Sequence, residues 1–231
     1  MYLGTVMYLL GSVMWLVCFE IGDKSPTENM AELWSAVVMQ YRRGRVECQY
    51  NNLQIGSVCE ASSPNAHYPK LKGKGAEVRD LVWPIQQVWL SVMSATLQHR
   101  MIATVLKTQV DIQALLHDNR DNTLLPNVAS ERFLNLVKEQ LHEYSLLANT
   151  ADRDKQFLFN VTIKHHYLYH MGLRAAHLNP RKGNTMVDED FVGQTKELVA
   201  TCSHGTESQC VPEKVLERYV WGKYFVIKHG P

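Results

Sequence analysis

The chain has 231 residues, 45% of them hydrophobic and 20% charged, and sets 24 Lys and Arg against 23 Asp and Glu for a net charge of +1. That length permits one large domain or two small ones with a sizeable core, and the composition is that of a folded globular chain. Near-neutrality excludes a whole-molecule pull toward nucleic acid or acidic membranes, so any anion contact has to be local.

Residues 2–19 are apolar or small throughout, close to the minimum length for a membrane-spanning helix. No basic residue precedes them, and Gly4, Thr5, Gly11 and Ser12 dilute their hydrophobicity. A buried core element and a membrane anchor are therefore both open. Ile21 to Pro26 reads as a turn. Ala31, Leu33, Trp34, Val37, Val38 and Tyr41 then recur at helical spacing up to Arg42-Arg43-Gly44. These pieces make a first region, residues 1–44. Residues 45–75 hold Gly, Asn, Ser and Pro clusters without periodicity and are expected to form a long irregular connection.

From residue 76 to 231 a mainly α, bundle-like helical domain is expected. Leu81, Val82, Ile85, Val88, Trp89 and Val92 form one apolar face, with Pro84 read as lying near the helix start. A second pattern covers residues 97–116. Phe133, Leu136, Val137, Leu141 and Tyr144 mark a third, and residues 163–177 a fourth that stops ahead of Asn179-Pro180. Phe191, Val192, Thr195, Leu198, Val199 and Cys202 predict a helix over 188–202, with Asp188, Glu189 and Asp190 crowding its first turn. Pro212 opens a last helix.

Three groups carry candidate chemistry. The carboxylates of Asp188 and Glu189 suit Mg²⁺ or Mn²⁺, although acids at a helix start also serve the free amides and the dipole. His166 and His170, four residues apart on Lys164-His165-His166-Tyr167-Leu168-Tyr169-His170, share a helix face fit for a metal or a phosphate; an ordinary aromatic-rich helix explains them too. Lys70, Lys72 and Lys74 on a glycine-containing loop, followed by Arg79, suit phosphate contacts or plain solvation. The odd set Cys18, Cys48, Cys59, Cys202 and Cys210 reads as reduced thiols of an intracellular protein. Cys202, His204 and Cys210 amount to half a zinc site.

In their order along the chain, four short blocks resemble the C-terminal part of transposases of CACTA-type (En/Spm-like) DNA transposons. They are Leu3-Gly4 through Leu9-Leu10, Lys74-Gly75-Ala76-Glu77-Val78-Arg79, Asn160 with His166 through Met171, and Asn179-Pro180 with Asp188 through Gly193 and Lys196. The resemblance implies the helical C-terminal part of an RNase-H-like nuclease domain. Glu189 would then be the third acidic ligand of a two-metal phosphoryl-transfer site holding Mg²⁺ or Mn²⁺. It also implies that the other two ligands belong to an upstream half, so that this chain alone is inactive. Implied partners are DNA, met by Lys70, Lys72, Lys74, Arg79, Lys164, His166 and His170, and the missing half or a related transposase. The implied location is the nucleus. Two other classes fit the same residues: a membrane-anchored helical protein without enzymatic activity, its anchor at residues 2–19, and a protein-interaction module built on the helices of residues 76–149.

Overall fold

The computed structural model describes residues 3–59, 63, 65–182, 198–203, 205, 207 and 209–218. They are mainly helical, the coarse class that the periodicities predict, and no strand occurs among them. The chain divides into two units, Met1–Gly183 and Asn184–Pro231.

The first unit opens with α1 (Leu3–Leu16), which runs on into a π-helical turn, Val17–Ile21. Residues 12–16 of α1 are all buried, and five consecutive residues sweep more than a full turn of helix, so the rest of the unit covers the C-terminal part of α1 on every side. Its neighbours are α3, α6 and the π turn. The buried side chain of Asn29 ties this π turn to the bend that follows it: its Nδ2 donates to the Cys18 and Lys24 carbonyls at 2.9 Å each.

Helix α2 (Pro26–Gly44) starts at a capping box. Ser25 N donates to Glu28 Oε2 at 3.1 Å, Glu28 N donates back to Ser25 Oγ at 3.4 Å, and proline takes the first helical position. It ends at Arg45 in the left-handed region, φ 52°. Among the described residues of the connection that follows, only a 3₁₀ turn at Ile55–Ser57 is helical. Its last stretch lies directly on α1: Leu71 N donates to the Met7 carbonyl at 3.0 Å, and Lys70 N to the Val58 carbonyl at 2.9 Å. Gly11 makes this approach feasible, because a Cβ there would sit 2.6 Å from the Pro69 carbonyl oxygen.

Helix α3 (Gly75–Val92) begins earlier than the apolar face suggests, so Pro84 falls in its interior rather than near its start. Proline costs the helix the bond to the Asp80 carbonyl, and the ring is buried in the core in exchange. Helices α4 (Leu97–Asp118) and α5 (Asn127–Arg153) pair as a long antiparallel hairpin, and α6 (Ile163–Arg174) packs on α5 and α1. Helix α6 stops three residues short of the predicted end. Beyond it the buried Asn179 donates from Nδ2 to the Asn119 and Asn122 carbonyls at 2.8 and 2.7 Å, tying the tail of α6 to the α4–α5 turn.

In the second unit residues 198–203 and 211–218 are helical, Cys202 is buried, and Arg218 Nη1 donates to Thr201 Oγ1 at 3.2 Å. The predicted start of the 188–202 helix lies outside the described residues.

Candidate functional site

Glu189 and Asp188, the candidate catalytic and metal residues, lie outside the described residues, as does His204 of the half zinc site. Among the described residues no group of three or more His, Cys, Asp or Glu side chains lies close enough to hold a metal ion. All five cysteines are free. Burial, reinforced by Cys59, pushes the Cys18 thiol up to about 12, so it stays protonated and inert at neutral pH.

The basic candidates do not form one row. Lys72 turns its ammonium to the Gly56 carbonyl at 3.1 Å, while its own carbonyl accepts from Tyr50 Oη at 3.2 Å. Lys74 stands at the start of α3, where its backbone N donates to Glu77 Oε2 at 2.9 Å. Arg79 is held in a two-bond pair with Asp80, Nε to Oδ1 at 2.5 Å and Nη2 to Oδ2 at 3.0 Å, and Asp80 also receives Cys48 N at 3.4 Å. That pair fixes the chain after α2 and leaves the guanidinium engaged.

Lys70 and Lys164 are different, for both border α1. The Lys70 ammonium lies 5.6 Å from the centroid of the Tyr8 ring, within cation–π range. The Lys164 side chain runs over Gly4, one turn earlier on the same helix, so closely that a Cβ on Gly4 would touch its Cδ, Cε and Nζ. Both lysines are exposed.

Around them gathers an aromatic group whose members are distant in sequence. Tyr68 and Phe157 meet edge to face at 5.5 Å and are 38% and 50% exposed. Tyr144 is buried beneath them, with its hydroxyl donating to the Asn160 carbonyl at 3.2 Å and its ring against Phe159 and His165 at 6.0 and 4.6 Å. Burial, with Tyr8 and Tyr68 adding to it, drives the Tyr144 phenol far above its ordinary range and keeps it neutral. Phe159 N donates to the buried Ser12 hydroxyl at 2.8 Å, which locks the 155–162 segment to α1. Exposed Val161 and Ile163 continue the edge. Tyr8, Tyr68 and Phe157 were not singled out by the sequence. His67-Tyr68-Pro69-Lys70 and Phe157-Leu158-Phe159 were its only traces, and their convergence is tertiary.

His166 and His170 lie elsewhere. Helical geometry puts His166 about 160° around α6 from Lys164, so the histidines do not share the lysine's face. Both are exposed, with Nε2 to Nε2 at 2.9 Å and ring centroids 4.4 Å apart.

No protein-family model, no curated protein and no solved structure matches this chain.

Proposed function

We propose that the chain is the helix-rich C-terminal part of a transposase-like, RNase-H-type domain, one that contacts DNA and does not cut it unaided. The observation that carries this reading is the edge of α1 where Lys70 and Lys164 flank Tyr8, Tyr68 and Phe157. Ammonium groups meet phosphates as point charges, and exposed rings offer faces on which unpaired bases stack. Lys72 and Arg79 are spent on internal partners, so the contact is small and its affinity modest. Glu189 keeps its proposed place as an acidic ligand completed by an upstream half.

Fluorescence anisotropy with a labelled single strand tests the reading. Two phosphate contacts give a slope of log K against log salt of about −1.4. Lys164→Ala should lower that slope by about a half, and Phe157→Ala should weaken binding about tenfold at every salt concentration. Salt-independent binding, or none, overturns it.

A second reading has its own observation. Gly4–Ile21 has a mean hydropathy of 1.6 and is long and apolar enough to span a membrane. Against it, 72% of that stretch is buried within the fold. Alkaline extraction separates the two: an anchored chain stays in the membrane pellet, and a chain with α1 in its core is released.

A further inference from the structure

The outer face of α6 carries a feature independent of the DNA contact. His166 and His170 stand one turn apart and direct their Nε2 atoms at each other across 2.9 Å. Two protonated Nε2 atoms cannot approach so closely. At least one imidazole presents a bare lone pair, and the other donates to it. A cation that replaces the shared proton meets two nitrogens at once.

The separation is one that a single cation can bridge. Metal–imidazole bonds run about 2.0–2.1 Å; a right angle at the metal then spaces the nitrogens about 2.9 Å apart, and a tetrahedral angle spaces them about 3.3 Å apart. The 2.9 Å hydrogen-bonded spacing lies within a few tenths of an ångström of both, and imidazole's affinity order along the divalent series puts Cu²⁺ first. Exposure of both rings leaves the other coordination positions to water. No third His, Cys, Asp or Glu joins the pair among the described residues, so the site is open and exchanges its metal readily.

We propose that His166 and His170 form a two-nitrogen chelate for a tetragonal divalent transition metal, Cu²⁺ foremost. Binding adds two N–Cu bonds at the expense of two Cu–water bonds; the Nε2 proton of a neutral donor ring is re-sited on its Nδ1 by exchange with water, and only an imidazolium donor releases a proton to solvent.

The test is a titration of the full chain with Cu²⁺ in a weakly competing glycine buffer, followed by calorimetry and by electron paramagnetic resonance. One equivalent should bind ahead of the other histidines, with the hyperfine pattern of two imidazole nitrogens. His166→Ala and His170→Ala should each abolish that class and lower the affinity at least tenfold. Both residues are exposed, so unchanged far-ultraviolet circular dichroism certifies the fold of each variant. A titration unaltered by either substitution overturns the proposal. So does the loss of binding in only one variant, which would mean a single ligand.

Discussion

At one end of the α4–α5 hairpin, Ile102, Val105 and Leu106 of α4 and Tyr144, Leu147 and Ala151 of α5 join the core built around α1. At the other end, Ile112 and Leu115 of α4 and Phe133 and Val137 of α5 close on Leu168 and Ala175 in a separate cluster. The α1 core holds thirty buried apolar side chains and the second cluster seven, counted among the described residues. Between them sits a polar layer, Gln140 Nε2 donating to Gln109 Oε1 at 2.6 Å, both residues buried. Two apolar cores joined by rigid helices are thus divided by one amide pair. A core of seven side chains excludes less water than one of thirty, and its opening free energy should be correspondingly lower.

The largest expected effect breaks the smaller cluster. Phe133 is wholly buried, and Phe133→Ala should cost about 3–5 kcal/mol. Hydrogen exchange should accelerate over residues 110–140 and 163–175 while amides of α1 and α3 keep their protection. Uniform loss across α1 to α6 would show one cooperative unit instead.

Next comes the wall of the larger core. Gly11→Ala drives a methyl into the Pro69 backbone and should cost about 1–3 kcal/mol in urea denaturation. Gly4→Ala meets only the movable end of Lys164 and should stay within about 0.5 kcal/mol. Equal costs would mean that the 69–71 segment does not seat on α1.

The polar layer sharpens the comparison. Gln109→Leu strands the Gln140 amide in an apolar setting and should cost about 1–3 kcal/mol, and leucine at both positions should cost less than that single change. The double variant should also fuse the two cores, raising exchange protection in the smaller cluster toward that of the larger.

These features were unequally legible in the sequence. Helices α2, α3, α4 and α6 announce themselves by apolar residues at helical spacing. Helix α5 is longer than the stripe from Phe133 to Tyr144 suggested: its buried face begins at a polar residue, Ser130, and runs on beyond Tyr144 through Leu147 and Ala151. The π turn after α1 was hidden, since it depends on Asn29 eleven residues beyond Cys18. Asn179-Pro180 was readable as a helix stop, but not as a buried amide serving carbonyls some sixty residues earlier. The candidate site fared likewise. Lysines are visible singly; which of them remain outward depends on partners such as Gly56 and Asp80. The aromatic edge joins residues 8, 68 and 157, and no periodic pattern links them.

The smallest effect reads the junction where α6 meets Tyr144. His165 is buried there, its Nδ1 accepts from Thr162 N at 3.1 Å, and its Nε2 has no hydrogen-bond partner among the described residues. Burial, partly offset by the Thr162 backbone, holds its pKa below the ordinary histidine value. The unfolded chain, with a value near 6.5, therefore takes up the proton first. Stability is complete above that value and declines as the pH falls through about 6.5 toward the lower folded value, because the unfolded state binds more protons over that range. Melting temperatures measured from pH 7.5 to 5.5 should fall, and His165→Gln, which can still accept from Thr162 N, should flatten part of the decline. The remainder belongs to groups such as His99, also lowered by burial. A slope unchanged in the variant would place the titrating group away from this junction and leave His165 as packing against Tyr144 alone.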